Sequence, residues 1–346
     1  MESNTGMPVN RRYLILLLIL VTSLILAACG SSSPEPGTAT PADTPAPTAT
    51  FTPQPTATAL PPLAVLLAPD GADPALVTDL QGKLEALAAQ DGMRIETRPA
   101  LTASDFGPDL RIVVALPPDP GIAQLAADAP GTQFLAVGIP NLQPATNLSL
   151  LAGSDGQPDQ MGFIAGYTAA VLTDDWRVGV LSPADAPGET AAQGFRNGVV
   201  FFCGLCRPAY PPFYEYPVLA SPADQFGADT LLSQSVQTVY LAPQVSDPTL
   251  LEYLAQAGVN LIGSTPPPES VKERWIATIQ TDLLAGVERL WPDLVSGQGG
   301  ITLPAPIVIT DRNEALFSPG RQRIVDETLA DLQAGYIATG VGQSTP

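Results

Sequence analysis

The chain contains no histidine, and this absence limits the chemistry open to its other reactive side chains. Serine and cysteine nucleophiles commonly depend on a neighbouring histidine base, so Ser-His-Asp and Cys-His catalysis are excluded, as are His-ligated metal sites. The acidic pair Asp174 and Asp175 is of a type used in glycoside hydrolysis, but its place between a predicted helix and a predicted strand favours a solvated turn. We therefore predict no catalytic residue, no metal site, no cofactor and no enzyme activity.

Two of the three cysteines form the motif Cys203-Gly204-Leu205-Cys206. A redox-active pair of the thioredoxin type opens a helix that follows a strand. This motif instead follows a helix-like stretch, 189–202, and precedes a proline-rich turn. The context favours a small disulfide between Cys203 and Cys206 and leaves free thiols as the alternative. A zinc site would need two further ligands, which this region does not supply.

The N-terminus has the pattern of a secretory signal. Arg11 and Arg12 precede an almost purely apolar run, 13–28, which ends in small residues before Cys29. Leu26-Ala27-Ala28-Cys29 resembles the lipobox of bacterial lipoproteins. The resemblance implies cleavage after residue 28 and a diacylglycerol on the Cys29 thiol. A transmembrane anchor is disfavoured, because the run is shorter than the roughly 20 residues of a spanning helix. We expect a protein held by lipid at the extracytoplasmic face of the cell membrane.

Residues 29–62 are mostly proline, threonine and alanine, with neither lysine nor arginine. A segment of this composition cannot bury enough apolar surface to offset the entropy of ordering it, so we predict a disordered tether. Its prolines favour extended conformations, which give a reach on the order of 100 Å. The whole chain has a net charge of −19, and this acidity argues against nucleic acid as a partner, because phosphate binding depends on clustered lysine and arginine.

After residue 62, apolar runs rich in β-branched residues alternate with segments of helical periodicity. Continuous apolar strands that alternate with helices indicate parallel sheets covered on both faces. We predict an α/β fold of two doubly wound lobes. The predicted strands are 63–67, 111–116, 134–137, 148–152, 177–181, 215–219, 238–241, 260–262 and 307–309.

Many predicted strands run directly into proline, and the loops that follow carry polar side chains. Three following helices open with Asp-Pro, at Asp73, Asp119 and Asp247, which favours helix capping over ligand contact. Ligands of open α/β sheets bind at the carboxyl ends of strands, and these loops lack lysine and arginine. We therefore expect a neutral or cationic ligand. The candidate ligand-binding residues are Asp70, Asp73, Asp119, Asn141, Ser182, Phe226, Gln244, Ser264 and Thr265.

Residues 160–207 resemble the basic membrane protein family, the nucleoside-binding lipoproteins of ABC transporters. The matching motifs are Gly162-Phe-Ile-Ala-Gly166-Tyr167, Val178-Gly-Val180 and Gly194-Phe-Arg-Asn-Gly198. Shorter matches lie at 129–134, 257–263 and 317–340. The resemblance implies a type I periplasmic-binding-protein architecture, a nucleoside-like solute between the lobes, and a membrane permease as partner. Gly162 and Gly166 lie one helical turn apart, and we interpret them as a close-packing face.

The chain departs from this family at three expected ligand positions. The first-strand turn carries Asp70 and Asp73 but neither lysine nor an aromatic ring, although either aspartate could replace the family's acid. Gly263 is followed by Ser264 and Thr265 instead of an acid, and the lysine expected near 278–281 is missing. Phe226 is a candidate stacking face, with a plain core role as the alternative. These departures leave open a second function, a degenerate binding-protein fold that acts as a sensor or interaction lipoprotein.

The lobe boundaries follow from the predicted strand order and from the resemblance. We predict a signal peptide at 1–28, a tether at 29–62, a first lobe of 63–175 plus 265–300, and a second lobe of 176–264 plus 301–340. The chain is expected to cross between the lobes near 174–176, 264–268 and 299–303.

Overall fold

The structure is a computed structural model that describes residues 60–153, 156–205 and 207–342. The predicted signal peptide, Cys29 and nearly all of the tether lie outside these residues, as does Cys206. Within the described residues, no helix has the length and apolar character needed to cross a bilayer.

Two six-stranded sheets form the two lobes. The first has the strand order β11-β5-β4-β3-β1-β2 and is entirely parallel; the second has the order β12-β10-β9-β8-β6-β7 and is parallel except for β12. This confirms the predicted fold class of two doubly wound α/β lobes. The strands are β1 (Leu63–Leu67), β2 (Arg94–Arg98), β3 (Leu110–Ala115), β4 (Gln133–Val137), β5 (Leu148–Ala152), β6 (Val178–Leu181), β7 (Val218–Ala220), β8 (Thr238–Leu241), β9 (Asn260–Gly263), β10 (Trp275–Thr281), β11 (Thr302–Pro304) and β12 (Ile307–Thr310).

Helices cover both faces of each sheet, as continuous apolar strands require. Residues of α1, α2 and α7 pack in the cores of the first lobe, and residues of α3, α4, α5, α6 and α8 pack in the core of the second. Short 3₁₀ helices lie at Ala103–Asp105 and Glu269–Arg274. The α-helices are α1 (Pro74–Gln90), α2 (Ile122–Asp128), α3 (Pro158–Leu172), α4 (Ala186–Cys203), α5 (Gln225–Ser233), α6 (Pro248–Gln256), α7 (Leu283–Val295) and α8 (Pro319–Gln333).

Three strands are missing from the sequence prediction, each for a different physical reason. Strand β2 alternates charged residues because it is a sheet edge, where Arg94 and Arg98 pair with acidic neighbours instead of packing in the core. Strand β10 directly follows the charged 3₁₀ helix Glu269–Arg274, whose composition conceals its start. Strand β11 has only three residues and little apolar pattern.

The predicted lobe boundaries are wrong, mainly because β10 and β11 were missed. Strand β10 pairs with β9 in the second lobe, and β11 pairs with β5 in the first. Helix α3 belongs to the core of the second lobe rather than the first. The chain therefore crosses between lobes at 153–158, 281–283 and 304–307, and not at the three predicted places. Each crossing lies directly after the carboxyl end of a strand.

Aspartate caps fix where several helices begin, as the Asp-Pro motifs predicted for two of them. The carboxylates of Asp73 and Asp247 accept hydrogen bonds from the backbone nitrogens of Ala75 and Thr249, at 2.9 and 3.0 Å. Asp119 lies two residues before the N-cap Gly121 of α2, and its carboxylate accepts from two backbone nitrogens of that turn. These carboxylates satisfy helix N–H groups that would otherwise lack partners.

A seam of four glycines joins α3 and α4. A Cβ at Gly162 would lie 2.1 Å from the carbonyl oxygen of Ala191, and one at Gly166 would lie 2.0 Å from that of Phe195. Gly194 and Gly198 on α4 face the backbone of α3 equally closely, at 2.2 and 1.9 Å. The two backbones touch because neither helix has side chains at these positions. The structure thus confirms the close-packing interpretation of Gly162 and Gly166.

We expect Gly166→Ala to lower the free energy of unfolding by at least about 1–3 kcal/mol, because its Cβ meets backbone atoms that cannot rotate away. Gly82→Ala is the matched control. Gly82 lies on the exposed face of α1, where a Cβ would have no neighbouring atom within 4 Å, so alanine there should stabilise the helix by about 0.5–1 kcal/mol. Urea denaturation of both variants measures their free energies of unfolding. If the two substitutions changed this free energy equally, the close backbone contact between α3 and α4 would be contradicted.

Candidate functional site

A cavity of about 720 Å³ lies where the carboxyl ends of the strands of the two lobes face each other. Its volume is within the range of about 300–1,000 Å³ that small-molecule sites occupy. The first lobe contributes the loops after β3, β4 and β5, the second lobe contributes the loops after β8 and β9, and the crossovers complete the wall. We call this cavity the cleft; its main lining residues are Pro117, Gly138, Ile139, Pro140, Asn141, Leu142, Leu151, Gly153, Pro187, Pro243, Gln244, Ser264, Thr265, Thr281, Leu283 and Thr302.

Four of the nine predicted ligand residues, Asn141, Gln244, Ser264 and Thr265, meet in this cleft. Asn141 and Gln244 occupy equivalent places in the two lobes, because each directly follows a proline at the end of a strand. Both have left-handed backbones, with φ of 61° and 75°. This conformation is uncommon for non-glycine residues, although asparagine tolerates it, and residues held in it cluster at active and binding sites. The two residues therefore line the cleft from opposite lobes.

Ser264 has a partly structural role. Its side chain is buried, and its hydroxyl donates a hydrogen bond of 3.4 Å to the carbonyl oxygen of Ala242. This bond joins the loop after β9 to the loop after β8, which is the loop that carries Gln244. Thr265 is exposed, so its hydroxyl is the more available of the two for a ligand.

The remaining predicted ligand residues lie away from the cleft lining. Asp73 and Asp119 use their carboxylates to cap backbone nitrogens. Asp70 lies in the exposed turn after β1. Ser182 is buried beside a different cavity of about 420 Å³. Phe226 is 71% exposed on α5 and belongs to neither the core nor the cleft.

The described lining of the cleft carries neither a charged side chain nor an aromatic ring. Its polar groups are amides and hydroxyls, and most of the remaining surface is aliphatic and includes several prolines. A charged ligand would lose its hydration without gaining an opposite charge, which is costly in a low-dielectric site. Among the described residues there is likewise no group of three acidic or cysteine side chains that could hold a metal ion.

Sequence reasoning missed the apolar part of the cleft and the crossover residues. Ile139, Leu142 and Leu151 lie at or just after the ends of β4 and β5, so a search for apolar residues as well as polar ones at strand ends would have found them. Thr281, Leu283 and Thr302 flank β10 and β11. They were not identifiable without those two strands.

Three hydrogen bonds tie the crossovers together beneath the cleft. The Nε2 of Gln157 donates to the carbonyl oxygen of Ala305 at 2.7 Å, and the side chain of Gln157 is buried. The backbone nitrogen of Asp282 donates to the carbonyl oxygen of Pro306 at 2.8 Å, and that of Ala305 donates to the carbonyl oxygen of Ala152 at 2.9 Å. The three connections therefore form one bonded layer, about which the lobes can close.

Cys203 ends α4 and is disulfide-bonded. Its predicted partner, Cys206, lies outside the described residues, so the pairing of these two cysteines stays a prediction.

No protein-family model matches the chain, and no curated protein matches it. Solved structures do. An ABC transporter system solute-binding protein from Conexibacter woesei DSM 14684 has a TM-score of 0.58 at 21% identity, over 81% of this chain and 98% of that one. A transcriptional activator of the comK gene from Bacillus halodurans has a TM-score of 0.53 at 13% identity, over 82% and 100%. These likenesses show the fold alone, the type I periplasmic-binding-protein architecture.

We expect Gln157→Met to lower the free energy of unfolding by about 1–3 kcal/mol, because the buried carbonyl oxygen of Ala305 loses its donor at nearly constant side-chain volume. Gln193→Met, at an exposed position on α4, is the control and should change stability little. Urea denaturation compares the two variants. Equal stabilities would show that the bond between the first and third crossovers contributes nothing.

Proposed function

We propose that this protein is the extracytoplasmic solute-binding lipoprotein of an ABC importer and binds a neutral, nucleoside-like molecule in the cleft. In this role the lipid on Cys29 holds it at the membrane, and a permease receives the solute. It performs no chemistry on its ligand. The observation that supports this role most directly is the cleft itself, formed by the carboxyl ends of parallel strands from two lobes.

The hinge supports the proposal. The three crossovers lie in one hydrogen-bonded layer at the base of the cleft, and two of them, near Gly153 and Thr281, also line it. A ligand that contacts both walls binds the closed arrangement more tightly than the open one, and so shifts the population towards closure. A permease that recognises the closed form would then distinguish loaded from empty protein.

The lining supports a neutral ligand. Asn141 and Gln244 offer amides from opposite walls, which can donate to and accept from an uncharged polar group. Prolines and aliphatic side chains provide flat apolar surface for a ring. The described lining offers no guanidinium or ammonium to pair with a phosphate or carboxylate, which argues against a nucleotide or an acidic metabolite.

A second candidate is a sensor or interaction lipoprotein that has kept the fold and lost solute transport. The specific observation in its favour is that the described lining contains neither a carboxylate nor an aromatic ring. A site without them has no acid to bind ribose hydroxyls and no ring to stack on a base. The comparison with the Bacillus halodurans activator is compatible with this role, since the same fold occurs in a regulatory protein.

A thermal-shift screen of residues 58–346, one compact unit that contains all the hydrophobic cores, tests the binding proposal. The panel is nucleosides, nucleobases, neutral sugars and amino acids. We expect a neutral nucleoside or nucleobase at 100 times its Kd to stabilise the protein by about 2.7 kcal/mol. Asn141→Gly and Gln244→Gly remove the amides and suit the left-handed backbone, so they should weaken binding about tenfold each.

Ser235→Gly is the control for these variants. It relieves the same kind of backbone strain, with φ of 58°, at a residue outside the cleft lining, and should leave affinity unchanged. Stabilisation by an amino acid or a neutral sugar in place of a nucleoside or nucleobase would overturn the ligand class. No stabilisation by any member of the panel would favour the sensor or interaction lipoprotein.

Cys29→Ser tests the membrane anchor. We expect the full chain to partition into detergent after Triton X-114 phase separation and to be labelled by palmitate in a bacterial host. The variant should lose the label, because a serine hydroxyl does not receive the thiol-linked diacylglycerol. Palmitate labelling that persists in the variant would overturn the assignment of the lipid to Cys29.

A further inference from the structure

A patch of exposed apolar side chains lies on the second lobe at the end of α4. Seven of the large apolar side chains that are exposed in the described residues fall between positions 200 and 214. Leu205, Tyr210 and Phe213 are 85%, 73% and 70% exposed. We call this set the aromatic patch; its members are Val200, Phe201, Phe202, Leu205, Tyr210, Phe213 and Tyr214.

The aromatic patch rests on an ordered aromatic layer. Phe201 packs against Phe163 and Tyr167 of α3, with ring centroids 5.4 and 6.0 Å apart. Phe202 packs against Tyr167 and Trp176, at 5.4 and 6.0 Å. Phe201 and Phe202 are therefore held by the lobe on one side and remain exposed on the other. Side chains held in this way lose little conformational entropy when a partner covers them.

An ion pair holds the second half of the patch in place. The side chain of Arg177 is 7% exposed; its Nε donates to Asp175 at 2.7 Å, and its Nη2 donates to the carbonyl oxygen of Tyr210 at 2.9 Å. Asp175 also accepts from the backbone nitrogen of Ala209 at 2.7 Å. The hydrogen bond from Arg177 keeps the pKa of Asp175 below its usual value.

The two halves of the patch are attached to the same three consecutive residues, 175–177. Trp176 contacts Phe202, and its neighbours Asp175 and Arg177 bind the loop that displays Tyr210 and Phe213. The loop is thus fixed by a largely buried ion pair. Large exposed apolar surfaces of this kind mark interaction sites on soluble proteins.

The size of the aromatic patch matches a protein interface. A fully exposed aromatic side chain presents roughly 150–250 Å², and an exposed leucine or valine somewhat less, so the exposed fractions of the five aromatic and two aliphatic residues amount to roughly 800 Å². Apolar patches on monomers seldom exceed about 300–600 Å². A standard interface buries about 800 Å² on each partner, and its core is enriched in tyrosine and phenylalanine.

The charges of the patch favour a partner with the same surface. The chain has a net charge of −19, yet residues 200–215, which we call the patch segment, carry one positive residue, Arg207, and one negative residue, Glu215. Both are exposed, and neither has an ion-pair partner among the described residues. In a two-fold dimer, each copy can offer Arg207 to the Glu215 of the other, so that the same ion pair forms twice.

We propose that the aromatic patch is the interface of a two-fold symmetric dimer of this chain. The proposal does not depend on the solute or on the lipid anchor. Helix α4 begins at the cleft wall, where Pro187 lies, and its 18 residues span roughly 25 Å before the patch. Dimerisation through the patch therefore leaves both clefts open and both hinges free.

Sedimentation velocity of residues 58–346 without reductant tests the proposal. We expect a concentration-dependent dimer for the unaltered protein. Phe213→Glu should raise the dimer dissociation constant at least about 100-fold, because a charge is buried twice in each dimer. Phe226→Glu is the matched control; Phe226 is as exposed as Phe213 but lies on α5, so this variant should dimerise normally. Leu205→Glu provides a second patch variant at an even more exposed position.

Charge exchange tests the symmetry of the dimer. Arg207→Glu should weaken the dimer by placing two acidic pairs in the interface, and adding Glu215→Arg should restore it. A monomer at all concentrations, equal behaviour of Phe213→Glu and Phe226→Glu, or no restoration by the exchange would overturn the proposal. So would a monomer that binds phosphatidylcholine vesicles through Phe213, since the patch would then be a lipid-binding surface.

Discussion

The contact between α3 and α4 is the constraint on which the rest of the second lobe depends. Four glycines allow the two backbones to touch, so neither helix can rotate or slide without a clash. Helix α3 follows the first crossover, where Gln157 binds the third crossover. Helix α4 begins at the cleft and ends at the aromatic patch. One close-packed seam therefore sets the positions of the hinge, of one cleft wall and of the patch relative to one another.

The seam also explains why the patch is rigid. Phe163 and Tyr167 lie on α3 between the seam glycines or beside them, and their rings support Phe201 and Phe202 on α4. A closely packed interior is hardly compressible, so a displacement of one element also displaces its neighbours. Helix α4 consequently extends from the cleft at one end to the proposed interface at the other.

The charged residues are distributed unevenly over the protein, and few of them lie at the cleft or at the aromatic patch. Acidic residues occupy helix caps, sheet edges and the solvent face, where they keep the protein soluble or satisfy backbone nitrogens. The described cleft lining is uncharged and the aromatic patch segment is neutral overall. A protein of net charge −19 thus has two surfaces, the cleft and the aromatic patch, that carry little or no net charge.

The sequence alone determined the fold class, most of the strands and the close-packing role of Gly162 and Gly166, because local patterns carry that information. The periodicity of apolar residues, the Asp-Pro motifs at helix starts and the spacing of glycines each determine structure within a few residues of the chain. It also identified Asn141 and Gln244, which follow prolines at strand ends, as site candidates. The tertiary structure alone decided that β10 belongs to the second lobe and β11 to the first, and that the cleft is largely apolar. Those features depend on which distant segments meet, and a charged or short strand shows its partner only when the sheet has formed.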